Sequence, residues 1–222
     1  MSGCGGGGGS AAPVSLPAYI NATLASFPAG SAPANFKSAM VEIRVGSSNG
    51  SIVTTATVTM NGTPLIYNAA AGHQVYEGDV IVSPGGTVNL DATVAGKTYT
   101  STSTQFDSYP SIAAPASGIT WPASSALSVS WSGGAPTAYA AYVLGVLATS
   151  DPNGLLVWPT IPSNVLYVAD ITTNNYSISA NSLTTGDRLL IVGIAKAASI
   201  PSAAAKSVMA IIGFNYVPIT IN

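Results

Sequence analysis

Three runs of this chain alternate apolar and polar residues with a period of two. In AMVEIRV (39–45), Ala39, Val41, Ile43 and Val45 share one side, and Met40, Glu42 and Arg44 share the other. SIVTTATVTM (51–60) puts Ile52, Thr54, Ala56, Val58 and Met60 on one face and Val53, Thr55, Thr57 and Thr59 on the opposite one. TVNLDATVA (87–95) sets Val88, Leu90, Ala92 and Val94 inward against Asn89, Asp91 and Thr93. Successive side chains of a strand point to opposite faces, so this pattern predicts strands with one face buried. SSNG (47–50), NGTP (61–64), SPGG (83–86) and AGK (95–97) separate the runs and read as tight turns. Strands joined by local turns predict an antiparallel sandwich over 14–108.

SYPSIAAPASG (108–118), with its two prolines, reads as a join between two domains. Beyond it, PSIAAPASG has the look of an extended first strand, and LSVSW (127–131) places Leu127, Val129 and Trp131 on one face. YVLGV (142–146) suits a third strand, and YSISANSLTTGDRLLIVGIAKA (176–197) holds a leucine, a tight turn and a following strand. On these motifs the stretch 110–222 resembles a fibronectin type III module, which is an immunoglobulin-like sandwich with a core tryptophan on its second strand. Leu189 stands where that family usually has a tyrosine, so the resemblance implies that the corner hydrogen bond from that hydroxyl is missing. The expected architecture is all-β: a flexible tether (1–13) followed by two tandem antiparallel β-sandwich, immunoglobulin-like domains, 14–108 and 109–222.

Two runs break the alternation. LLIVGIA (189–195) and VMAIIGF (208–214) are apolar at every position, so both faces of these strands need cover. Loops or the neighbouring domain could supply it; so could a partner or a second copy, because large exposed apolar patches mark contact surfaces.

Charged residues make up only 6% of the chain and the formal net charge is −2, which leaves no basic surface to compete for phosphates. Nucleic-acid binding is excluded on that ground. Mean hydropathy is +0.42, yet the longest small-and-apolar run, AYAAYVLGVLA (138–148), falls far short of the roughly 20 residues of a spanning helix. With a single cysteine, no disulfide can form within the chain.

That cysteine, Cys4, follows Ser2-Gly3 and precedes five glycines. Ser2-Gly3-Cys4 resembles the end of a bacterial lipobox, where small residues precede the cysteine that receives diacylglycerol. The resemblance implies a lipid-anchored protein of the cell envelope, at the outer membrane or the cell surface. Gly5 to Ser10 also has the composition of a synthetic linker, and coincidence is the third reading. A Gly-rich chain spans about 5–6 Å × √n, so the segment from Gly5 to about Pro17 would let a domain float roughly 20 Å from a membrane.

Acid–base groups are few. The only histidine, His73, lies between two strands without a GxSxG elbow, and reads as a turn residue. Glu77 and Asp79 share a strand face but have no further acids near them in the sequence; Asp151-Pro152-Asn153-Gly154 is first of all a turn. Neither zinc nor a phosphate loop has the residues it needs. No catalytic residue, metal or cofactor is expected. Aromatic side chains are the remaining candidates for ligand contact: Trp121 and Trp158, each before a proline near a strand end, and Tyr76. The expected function is a non-catalytic, lipid-anchored binding or spacer module with a protein or glycan partner. A self-associating structural subunit and an accessory carbohydrate-binding protein are the alternatives.

Overall fold

The computed structural model describes residues 16–70, 74–134, 140–150 and 166–222. These residues are all-β. In the N-terminal part the strands are β1 (Ala18–Ser26), β2 (Ala39–Val45), β3 (Thr57–Met60), β4 (Thr63–Asn68), β5 (Val75–Gly78), β6 (Thr87–Val94) and β7 (Lys97–Thr104). The C-terminal part holds β8 (Ser111–Ala114), β9 (Ile119–Trp121), β10 (Leu127–Ser132), β11 (Ala140–Ala148), β12 (Leu166–Ile171), β13 (Asn175–Ile178), β14 (Gly186–Ser199) and β15 (Val208–Ile221).

The C-terminal lobe is an immunoglobulin-like sandwich. Three strands in the order β13-β10-β8 face the sheet β12-β11-β14-β15, to which β9 adds on the far side of β15. Leu127, Val129 and Trp131 point into the core between them, as their spacing predicts, and meet Leu144, Leu190, Val192 and Ile219. The corner that lacks a tyrosine at position 189 is closed by the preceding residue. Arg188 donates from Nε to the Thr184 carbonyl (3.2 Å) and from Nη2 to the Thr185 carbonyl (2.9 Å).

The N-terminal lobe departs from the expected two-sheet sandwich. Its strands form one curled sheet in the order β1-β2-β5-β4-β3-β6-β7, and the same sheet continues through β15 into the C-terminal lobe. The curl turns at β4. Thr63–Leu65 pair with β3, while Ile66–Asn68 pair with β5. At this corner Leu65 passes over Gly78, where a Cβ would lie only 2.8 Å from Leu65 Cδ2.

Nor is the pairing wholly antiparallel, as the sequence pattern suggested. β15 runs parallel to β1 (Asn21 opposite Val208 through Ser26 opposite Gly213) and parallel to β9. The cause is the length of β14 and β15, fourteen residues each, which form a hairpin longer than its own lobe. Its tip enters the N-terminal lobe and buries Ile200, Met209 and Ile211 beside Ile20, Leu24, Val41 and Leu90. One face of β15 thus serves two cores in turn, Met209 and Ile211 in the first, Ile219 and Ile221 in the second. The tandem units read from the sequence are therefore stitched together by this hairpin.

The two unbroken apolar runs are explained by the same geometry. Leu190, Val192 and Ile194 face the C-terminal core, while Leu189 and Ile191 face a third cluster with Ile212 and Phe214, against which Phe27, Phe36 and Tyr167 pack. The cover comes from within the chain.

Candidate functional site

The third cluster opens at its edge into an apolar groove built around aromatic rings. β1 ends at Ser26, and the chain then runs through FPAGSAPANFKS (27–38) before β2 begins. Two short turns order this loop: Ser31 N–H donates to the Pro28 carbonyl (3.0 Å) and Phe36 N–H to the Pro33 carbonyl (3.2 Å). They bring Phe36 back edge-on to Phe27, with ring centroids 4.8 Å apart. Phe27 also meets Phe214 and Tyr216 of β15, at 5.6 and 5.7 Å. Edge-to-face packing of this kind holds aromatic rings in fixed orientations.

The opposite wall is the segment Asp79–Val82. Ser38 fastens it, its Oγ accepting from Val80 N–H (2.6 Å) and donating to the Val80 carbonyl (2.9 Å). Between the walls lies a groove of about 370 Å³, floored by Ala25 and Phe27 and edged by Ala29, Ala32 and Ile81. Ile81 is 94% exposed. Lys37 Nζ donates to Asp79 Oδ2 (2.8 Å) at the rim, and this bond with Asp79 holds the Lys37 amine above its ordinary pKa. So exposed a pair adds about 0–1 kcal/mol to stability, and its carboxylate and ammonium stay available to a polar group. On the other side of Lys37 a second depression is lined by Ile66, Tyr67 and Glu77, with Ile66 69% exposed.

The groove stands where the lobes join. Gln105 Nε2 donates to Ser26 Oγ (2.8 Å), and Phe106 packs against both the N-terminal and the C-terminal core. The Tyr109 ring lies over Gly213, where a Cβ would be 2.3 Å from Tyr109 Cδ1. Burial pushes the Tyr109 phenol up, partly offset by its hydrogen bond with Ser26.

The residues singled out from the sequence lie elsewhere. Tyr76 is buried in the N-terminal core; its hydroxyl donates to the Val53 carbonyl (2.9 Å) and accepts from Ala56 N–H (2.8 Å). It pins the stretch before β3, so that only 57–60 of the run read as a strand over 51–60 forms one. Trp121 is half-buried on β9 and donates from Nε1 to the Ser125 carbonyl (3.3 Å). The cavity beside it holds about 10 Å³, room for roughly one water. Glu77 and Asp79 take separate partners, Asn68 and Lys37. Among the described residues no three potential metal ligands gather. Cys4, His73, Asp151–Gly154 and Trp158 lie outside the described residues.

Sequence reading passed over Phe27 and Phe36. Two phenylalanines bracketing a loop of Pro, Ala and Gly are the available signal, because nothing between them has the bulk to hide both rings.

No family model matches the chain, and no curated protein matches it. Among solved structures, the chain is similar to the chicken CNTN1 FN1-FN3 domains at 11% identity and a TM-score of 0.24, covering 93% of this chain and 65% of that one. It is also similar to the fibronectin(III)-like modules of Clostridium thermocellum CbhA, at 12% identity and a TM-score of 0.25, covering 92% and 94%. A third likeness, to titin domains, has 10% identity and a TM-score of 0.25. Scores this low carry no argument about the fold. The immunoglobulin-like character of the C-terminal lobe rests on its own strand order.

Proposed function

We propose that this protein is a non-catalytic, lipid-anchored module of the bacterial cell envelope that holds a binding groove away from the membrane. The observation that carries this reading is the arrangement of β1. Its first residue, Ala18, follows the tether that begins at Cys4, and its last, Ser26, lines the groove. The eight residue steps of this nine-residue strand separate the two ends by about 27 Å. An anchor at Cys4 would therefore point the groove outward, with the C-terminal lobe beyond it. The hairpin of β14 and β15 ties the two lobes into one spacer, a fibronectin type III-like unit coupled to a curled N-terminal sheet.

The groove's lining suits an amphiphilic ligand: an apolar body against Phe27 and Phe36, with a polar group at Asp79 and Lys37. Trp121 and Tyr76 are engaged in their own lobes, which gives the carbohydrate reading no aromatic platform there. Self-assembly through the apolar strands is disfavoured because their side chains are covered within the chain.

The test is the intact mass of the protein recovered from the envelope of its host. An added mass of lipid size at Cys4, lost in Cys4→Ser, is the expected result. An unmodified Cys4 on a soluble product overturns the anchor and returns the glycine run to a mere linker. Titration with 1-anilinonaphthalene-8-sulfonate probes the groove separately. Ala32→Trp, at the exposed edge, should abolish the probe's fluorescence gain if the groove is the binding site.

A further inference from the structure

The end of the molecule where the tether arrives has a composition unlike the rest. Ala18 is its centre. Its N–H donates to Tyr99 Oη (3.0 Å), its carbonyl accepts from Ala204 N–H (2.8 Å), and it pairs with Val45 of β2. The start of β1, the end of β2, the β6–β7 turn and the tip of the long hairpin are thereby drawn to one place. Lys97 stands two residues before Tyr99, and Lys206 two after Ala204. Lys97 Nζ reaches the Ser202 carbonyl (3.4 Å) across the gap and lies 4.9 Å from the centre of the Tyr99 ring.

Both lysines are exposed. The turns that form this end, 46–51, 95–96 and 200–207, contain no acidic residue, and Glu42, three places along β2, is held by Arg44 (Nε to Oε1, 2.7 Å). Two apolar side chains complete the surface: Leu16, 64% exposed, and Val45, 46% exposed. Leu16 lies against Gly46, where a Cβ would meet its Cδ1 at 3.0 Å, so it sits beside Val45. Asp91 is exposed on β6, four residues before the 95–96 turn; the other described acids lie toward the opposite end, Glu77 and Asp79 beside the groove, Asp107 at the waist, and Asp170 and Asp187 on the C-terminal lobe. The chain is acidic overall, yet this end is basic with an apolar centre.

We propose that this end is a membrane-contact face, in which Lys97 and Lys206 meet anionic lipid headgroups while Leu16 and Val45 enter the interface between them. It rests on the tether reading above for its place in the cell, since an anchored chain would keep this face beside the bilayer. The charge works within about 10 Å of the surface at ordinary ionic strength. For a protein already anchored at Cys4, the face would set orientation: the hairpin tip down, the groove and C-terminal lobe away from the bilayer.

The test uses the full chain carrying Cys4→Ser, which has no lipid, so its outcome does not depend on whether Cys4 is modified. Sedimentation with vesicles of pure phosphatidylcholine is compared with vesicles containing one-third phosphatidylglycerol. Binding to the anionic vesicles should be stronger and lost at high salt, and each of Lys97→Glu and Lys206→Glu should weaken it by about fivefold or more. Leu16→Ser should lower binding while leaving its salt dependence in place. Lys196→Glu, at the waist, is the matched charge change and should have no effect. Equal binding to both vesicle types, or a loss with Lys196→Glu as large as with Lys97→Glu, overturns the proposal. Thermal unfolding of each variant keeps a folding defect from being read as lost contact.

Discussion

The C-terminal lobe closes its core with strands that all lie between residues 111 and 221, whereas the N-terminal lobe takes Ile200, Met209 and Ile211 from the other lobe's hairpin. The hydrogen bonds follow the same division. Ile20 N–H reaches Ser207 Oγ (3.0 Å) and Ser101 Oγ reaches the Ser199 carbonyl (2.8 Å), so β1 and β7 both finish on the borrowed tip. A sheet that curls without closing leaves an edge, and an edge invites pairing with another chain. Here β15 occupies the edge at β1 from within the molecule. The difference teaches that the C-terminal core is closed by its own strands, whereas the N-terminal core depends on strands from the other lobe.

The sharpest way to break this comparison is to put a charge at the tip. Met209→Asp buries a carboxylate in the N-terminal core and should cost about 4 kcal/mol or more. Hydrogen exchange should then lose protection at the amides of β2, β5 and β6 while β10 and β13 keep theirs. Simultaneous loss in both lobes would show instead a single cooperative unit.

A smaller effect is expected at the hairpin's middle, where it passes from one core to the other. Gly193 faces Phe214, and a Cβ would stand 2.3 Å from Phe214 Cδ1. Gly193→Ala should therefore destabilise by about 1–3 kcal/mol in urea unfolding, as overpacked sites do. Adding Phe214→Leu should recover part of the loss. Because Phe214 supports Phe27, the groove's affinity for an apolar probe should change with the first substitution and not with one in the C-terminal core.

The contrast between the lobes also marks what sequence can carry. β6 was legible because Val88, Leu90 and Ala92 alternate with Asn89 and Asp91, and the structure buries the first set alone. β1 was not, since Ile20, Ala22 and Leu24 face one core while Tyr19, Asn21 and Thr23 are buried on the other side. In β7 the inward residues Tyr99 and Ser101 sit among Thr and Ser on both faces, which blurs a period of two. The parallel pairing of β1 with β15 joins residues such as Asn21 and Val208, and no local pattern specifies so distant a partner. The groove was hidden for the same reason. Phe27 and Phe36 are near in sequence, but Phe214, Tyr216 and Asp79 arrive only through the hairpin and β5.

At the C-terminal corner the expected effect is smaller again. Arg188→Ala removes the bonds to the Thr184 and Thr185 carbonyls and should cost about 1 kcal/mol, measured as a lower urea midpoint. Restoring a tyrosine with Leu189→Tyr should not compensate, because Leu189 points into the third cluster rather than back toward the turn. If it did compensate, the corner would be closer to the usual fibronectin type III arrangement than the strand geometry indicates.

The smallest predicted effect depends on pH. Tyr19 and Tyr76 in the N-terminal lobe, Tyr109 at the joint and Tyr167 in the C-terminal lobe all have phenol pKa values raised above 10.0, with burial the leading cause in each. Below pH 10 both folded and unfolded chains keep these protons, and the raised values have no effect. As the pH rises past 10 the unfolded chain ionises first, binds fewer protons than the folded one, and gains stability relative to it. Folding stability should therefore fall above pH 10 and continue to fall until the folded phenols ionise as well. Tyr109 offers the cleanest comparison, because it touches the N-terminal lobe through Ser26 and β15 through Gly213. Tyr109→Phe should be less stable than the natural chain by about 1 kcal/mol at pH 8, where only the hydrogen bond is lost. That gap should narrow between pH 10 and 11, since the variant has one fewer phenol to keep protonated. A gap that stays constant or widens over that interval would mean that the joint opens before Tyr109 titrates, and the dependent lobe would then be the first part of the molecule to let go.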